Sequence, residues 1–318
     1  MMLNRHYYAI LLAQILLTST AAIAHNTSKN FCDDKSNTTN CSKKWEIDVT
    51  ALYLKPSVSY VGIDDDIVHH RISPPTHYTW GSILSGAYHY AQDADVNMNW
   101  LYYGESNNAF VSQPVVRPPS FILSRSDSDT HYKHTLNIVN LEFGHAILFK
   151  GAQVRAHAGG QYLNYRFKHN AYAQRFVEGV LKSDQNLDIS SDYNGGGPRI
   201  GIDVSHHLNS KKWSVFANGA TAALLGQSKS SLFSRGISSF SHPFSSYNSI
   251  KQNEIVSELG LKVGITYETP VNHNMLSVSA GWFVTRFFNL VLSTPNSNQT
   301  TPFNLSGPFL NVKLTDDI

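Results

Sequence analysis

The chain is poor in charge, in cysteine and in long hydrophobic runs. Only 15% of its 318 residues are charged, with a formal net charge of +2. The two signs are interspersed, which argues against a nucleic-acid partner, since that calls for a basic patch. Mean hydropathy is slightly negative, at −0.24. Beyond residue 24 no segment approaches the roughly 20 apolar residues of a membrane helix. The best stretch, Ala217 to Gly226, is far too short. The two cysteines, Cys32 and Cys41, both precede the first strand-like segment. In an oxidising compartment they could close a small loop within the chain or bridge two chains. Nothing in the sequence calls for a cofactor or a metal.

What is present begins with an export signal. A short basic start ending in Arg5 and His6 precedes an uncharged run from Tyr7, which closes on Ala22-Ile23-Ala24. This is the n-region, h-region and A-x-A pattern of a cleaved signal peptide over residues 1–24. Residues 25–44 are polar and read as a periplasmic N-terminal extension carrying Cys32 and Cys41. A membrane protein without membrane helices must be a closed barrel.

The remainder, 45–318, reads as one all-β domain: a transmembrane antiparallel β-barrel of about ten strands, with eight the alternative count. Trp45, Ile47, Val49, Ala51 and Tyr53 alternate with Glu46, Asp48 and Thr50. Leu259, Leu261, Val263, Ile265 and Tyr267 alternate with Glu258, Gly260, Lys262, Gly264 and Thr266. Lipid outside and water or polar groups inside demand that period of two. The segments expected to span are 45–54, 80–90, 95–103, 134–149, 152–167, 198–207, 213–226, 254–268, 275–288 and 303–314. The connections alternate long and short throughout. That is the pattern of long extracellular loops and short periplasmic turns. Trp45, Tyr90, Phe149, Trp213 and Tyr267 at one end, and Tyr53, Trp80, Phe287, Phe288 and Phe303 at the other, suggest two interfacial aromatic girdles.

Several phrases carry a family resemblance through their order. They are Ala51-Leu52-Tyr53-Leu54-Lys55-Pro56-Ser57, Gly86-Ala87-Tyr88-His89-Tyr90, Asn140-Leu141-Glu142-Phe143-Gly144 and His157-Ala158-Gly159-Gly160-Gln161-Tyr162. Tyr193-Asn194-Gly195-Gly196-Gly197-Pro198-Arg199-Ile200-Gly201-Ile202-Asp203 is the most specific, and Gly281-Trp282 and Gly307-Pro308-Phe309 close the series. The chain resembles the Legionella major outer membrane protein family over nearly all of its exported length. The resemblance implies a Gram-negative outer-membrane barrel, a porin-type role, and cysteine-mediated cross-linking between chains or to the envelope. One departure is the ending Thr315-Asp316-Asp317-Ile318, which lacks the terminal aromatic residue common in such barrels.

The inward-facing set holds the chemistry: Glu46, Asp48, Glu142, Arg155, His157, Arg199, Asp203, Glu258 and Lys262. Glu142 and Arg155 are expected to sit side by side on neighbouring strands. Such a set can form a charged constriction that selects among small solutes, or a network that neutralises a filled lumen. Arg286 interrupts an apolar face near an outer strand end, where it could snorkel to a lipopolysaccharide phosphate. Gly195-Gly196-Gly197-Pro198 lacks the Lys-Ser/Thr of a phosphate loop and fits a sharp bend better. Asp64-Asp65-Asp66 with His69-His70 could activate water at a rim, but contiguous acids in a loop are usually a solvated surface. The sequence therefore points first to a porin passing small hydrophilic solutes or ions, not to an enzyme. A surface-exposed adhesin or binding protein with a closed barrel is the alternative, and an outer-membrane hydrolase the third. Implied partners are outer-membrane lipids and lipopolysaccharide, a disulfide-linked homo-oligomer, and host or envelope molecules at the loops.

Overall fold

The computed structural model describes residues 44–58, 76–91, 93–116, 123–149, 151–177, 180–208, 212–237, 242–271, 274–294 and 297–317. The expected signal peptide, residues 25–43 of the expected polar extension with Cys32 and Cys41, and the Asp64–His70 cluster lie outside the described residues. Ten strands follow in chain order: β1 (Lys44–Val58), β2 (Thr79–Ala91), β3 (Ala94–Val116), β4 (Leu123–Phe149), β5 (Ala152–Val177), β6 (Val180–His207), β7 (Trp213–Ile237), β8 (Pro243–Val271), β9 (Asn274–Thr294) and β10 (Ser297–Asp317). Each pairs antiparallel with its sequence neighbours, and β10 pairs with β1, so the sheet closes on itself.

Following the ladder once round fixes the geometry. From Ile265 the partners run through Ala280, Leu310, Ala51, Ser82, Tyr102, Asn137, Asn164, Asn194 and Gln227, and the circuit returns to β8 at Asn253. A stagger of twelve residues over ten strands tilts them by about 40° and gives a backbone cylinder of about 10 Å radius.

The outward face is apolar over a limited height. Ile47, Met98, Trp100, Leu141, Phe143, Ile202, Leu261, Trp282 and Val312 are all exposed there. With the tilt above, the belt is about 25 Å tall, the span of a membrane barrel's lipid face. Trp45, Tyr90, Phe149 and Trp213 ring its near end, where the connections are short. Tyr53, Trp80, Tyr102, Tyr162 and Phe288 ring its far end. Phe287 and Phe303, which sequence placed in that second girdle, are fully buried inside the barrel. Adjacent strand residues face opposite ways, so of the pair Phe287-Phe288 only the second can face lipid.

The long loops expected at the far end are the main correction. Most of residues 104–133, 168–197 and 227–253 continue as strand, so β3 to β8 extend well past the belt as one six-stranded sheet. The physical reason is plain. Beyond the lipid, water bathes the outer face, so the hydropathy alternation that marks a strand disappears while backbone pairing goes on. Only the connection 59–78 is long; the other far-end connections are 117–122, 178–179, 238–242 and 295–296.

Candidate functional site

The lumen divides into two layers. The half nearer the short turns is polar and charged; the half nearer the far end is apolar and aromatic. Every charged residue singled out from the sequence, Glu46, Asp48, Glu142, Arg155, His157, Arg199, Asp203, Glu258 and Lys262, lies on the inward parity of its strand.

Two arginines organise the polar layer. Arg155 on β5 bonds Asp95 on β3 through Nε and Nη2 (2.7 and 2.6 Å) and Asp203 on β6 through Nη1 (2.7 Å). Arg199 on β6 bonds Glu142 on β4 (2.6 Å), Gln161 on β5 (2.8 Å) and Glu258 on β8 (3.1 Å). Gln161 also donates to Glu258, and Thr285 of β9 reaches the same carboxylate at 3.1 Å. His157 lies between Glu142 (3.1 Å) and Asp203 (3.6 Å). Nearer the turns, Lys313 approaches Glu46 at 3.3 Å, and Asn311 donates to Asp48 at 2.9 Å. Lys262 stands over the ring of Phe309, 4.5 Å from its centroid.

The side-by-side pairing of Glu142 with Arg155 does not occur. The register sets Glu142 opposite Gly159 and Arg155 opposite Ala146. Each arginine instead reaches over an intervening strand, and a glycine makes the passage. Gly159 stands between Glu142 and Arg199 in one ladder row. Gly144 stands next to Asp95 on β3, and a Cβ there would collide with the Arg155 guanidinium. Asp95, Gln161 and these two glycines were missed as site residues. Their inward parity was the available signal.

The apolar layer was not foreseen. Leu52, Leu54, Tyr103, Leu136, Leu163, Tyr165, Tyr193, Leu224, Phe287, Phe303 and Leu305 are all at 0% exposure, so the lumen is closed at this level. Sequence held one hint, the low polarity of both faces of β7, where Ala222 and Leu224 point inward. At the top of the layer His134 stacks between Phe167 (4.8 Å) and Phe303 (5.6 Å) and shares a 2.9 Å hydrogen bond with the Tyr165 hydroxyl. His169 stacks on Tyr132 at 4.2 Å. Both histidines lie beyond the lipid belt, and burial lowers each to a pKa of about 4. Burial raises the nearby Glu105 carboxyl, which accepts from Asn107 at 2.6 Å. Asn289 has a positive φ of 61°, and the β9–β10 register shifts there. Leu290 and Val291 beyond it are both buried, and β9 comes close to β6 and β7, with which it does not pair. The β9–β10 hairpin thus leans across the barrel mouth.

Arg286 faces outward at the far girdle, with its guanidinium 4.8 Å from the Phe288 ring centroid.

A family model described as the Legionella pneumophila major outer membrane protein precursor matches residues 38–315. No curated protein matches. Among solved structures, the chain is similar to the outer membrane protease OmpT from Escherichia coli, at 10% identity over 86% of this chain and 97% of that one, with a TM-score of 0.38. It is also similar to the toluene transporter TodX of P. putida, at 8% identity over 87% and 90%, with a TM-score of 0.25. LpxR from Salmonella typhimurium matches at 10% identity over 86% and 100%, with a TM-score of 0.22. Likenesses this distant carry nothing about activity.

Proposed function

Since the chain belongs to the Legionella pneumophila major outer membrane protein family and so resides in the bacterial outer membrane, we propose that it is a closed-lumen barrel acting through the sheet it raises above the membrane. In this reading the short turns are periplasmic and the six-stranded extension faces outward, where it is positioned to engage host or envelope molecules. The observation that carries it is the apolar plug. Its side chains come from the barrel wall itself, and they are packed to zero exposure. Beneath the plug each arginine is held by two carboxylates, Arg155 by Asp95 and Asp203 and Arg199 by Glu142 and Glu258, with His157 between Glu142 and Asp203. Arginines held on two sides by strands of the wall tie the lumen side chains to one another and stabilise a filled lumen.

Passive diffusion of small solutes, the porin role, is the second reading. The leaning β9–β10 hairpin favours it, because its bulge at Asn289 is a separate element that could swing away. The wall-borne plug weighs more heavily against it, since apolar constrictions exclude water and ions.

Single-channel conductance of the refolded protein in a planar bilayer at neutral pH decides between them. The expected result is silence from a folded barrel. Steady conductance whose selectivity changes in Glu142→Ala and Arg155→Ala would overturn the closed-lumen reading.

A further inference from the structure

The outward face just beyond the far girdle carries a band of charge that neither the plug nor the lumen network uses. The first row above the aromatic ring is amide: Asn137, Asn164, Asn194, Gln227 and Asn253 are successive ladder partners. Next comes basic residue on basic residue. Lys133 of β4 stands directly opposite Lys168 of β5, and Lys229 of β7 directly opposite Lys251 of β8. All four are exposed, and among the described residues none is in a salt bridge, although Asp192 of β6 is the ladder partner of Lys229 on its other side. Like charges directly opposite one another weaken a sheet, so stability does not account for two such pairs on one face.

Acids are scarce in this band. Among the described residues its outward acid is Asp192, which already receives the Arg166 Nε at 3.0 Å. Asp129 and Asp188 come only further out along their strands. On the opposite side of the barrel, two more cations flank β10 at the level of the girdle. Arg286 is the ladder partner of Asn304, and Lys55 that of Ser306. Below the girdle the outward face is apolar. From lipid outward the face therefore runs from the hydrocarbon belt to the aromatic ring with Arg286 and Lys55, then to the amides and the facing lysines with Asp192 among them, and Asp129 and Asp188 lie further out.

We propose that this basic collar binds the phosphorylated headgroup region of lipopolysaccharide in the outer leaflet around the barrel. The cations lie within about 20 Å above the girdle, the depth at which that lipid presents its phosphates and acidic sugars. Charge-assisted contacts from lysine and arginine to phosphate are strong, and they remove the repulsion between the facing lysines. The amide row supplies uncharged hydrogen bonds to the sugars. The inference rests on the outward orientation proposed above.

The test uses the full-length folded protein and a variant carrying Lys133→Gln, Lys168→Gln, Lys229→Gln and Lys251→Gln. Folding of both is checked by the gel shift on heating. Retention of purified lipopolysaccharide, and of the same lipid stripped of phosphate, is read by native mass spectrometry. The expected result is that the variant binds the intact lipid at least about tenfold more weakly, that the four Lys→Arg changes preserve binding, and that the dephosphorylated lipid binds poorly to every form. Equal binding by wild type and Gln variant, or equal binding of the dephosphorylated lipid, overturns the collar. Displacement of the lipid by millimolar inorganic phosphate would mean a soluble-anion site and overturn the lipid assignment. Orientation is tested separately by labelling Lys251→Cys on intact cells with an impermeant maleimide. Labelling is expected; protection there, with the lipid results unchanged, overturns the orientation rather than the affinity for phosphate.

Discussion

Acid should loosen the plug, and the two buried histidines set by how much. In the folded protein His134 and His169 are neutral, because burial holds each pKa at about 4 against an ordinary 6.5. The opened or unfolded chain takes up protons near the ordinary value, so it binds more protons than the folded state between those limits. Stability is therefore flat above about pH 6.5, falls as pH drops towards 4, and levels off below. At pH 5 the loss works out at about 2 kcal/mol for each histidine, and at the acid limit about 3 kcal/mol each. The groups facing them are Tyr165, Phe167 and Phe303 around His134 and Tyr132 beside His169, none of which can offset a cation with a carboxylate. Among the described residues the nearby acid is Glu105; its raised pKa works in the opposite sense, favouring the folded state as it protonates at lower pH. The assay is urea unfolding of the vesicle-inserted barrel at pH 7.5 and pH 5, on wild type and on the double variant His134→Phe/His169→Phe. Phenylalanine keeps both ring stacks and cannot be protonated. The two histidines together should take about 4 kcal/mol from wild type between the two pH values, an amount that Glu105 reduces, and the variant should lose much less. A variant whose pH profile matches wild type would refute the argument, because the acid sensitivity would then lie elsewhere.

The polar layer yields two further predictions. Arg199→Met takes from buried Glu142 and Glu258 the arginine they share, leaving Glu142 only His157, which should cost about 3–5 kcal/mol in urea unfolding. Adding Glu142→Gln and Glu258→Gln should restore much of it, whereas no rescue would show that the arginine acts by packing alone. Gly144→Ala places a methyl group where the Arg155 guanidinium crosses β4. The variant should lose the Arg155–Asp95 pair and unfold at a measurably lower temperature in the gel-shift assay, while Gly160→Ala, where a Cβ meets nothing within 4 Å, should not.

Much of the barrel was legible because lipid imposes a simple rule on sequence. Within the belt every second residue must be apolar, and so β1 and β8 declared themselves through Ile47, Val49, Leu261 and Val263. The same rule put all nine lumen charges on the correct face without any structure. The rule ends where the lipid ends. Outside it, Lys133, Thr135, Asn137 and their neighbours meet water on one face, and a strand there looks like a loop. Pairing within the lumen was illegible for another reason. Which carboxylate meets Arg155 depends on register and on the notch at Gly144, and both are properties of three strands together.

Alternation thus pointed by itself to a barrel with a charged interior. It could do so because it is a local consequence of crossing lipid. The tertiary structure alone decided that the lumen is shut, that four carboxylates gather about two arginines, and that lysines from separate strands meet in facing pairs above the membrane. A twelve-residue stagger brings together residues far apart in sequence, such as Tyr103, Leu163, Phe287 and Phe303, and no property of any one strand encodes that meeting.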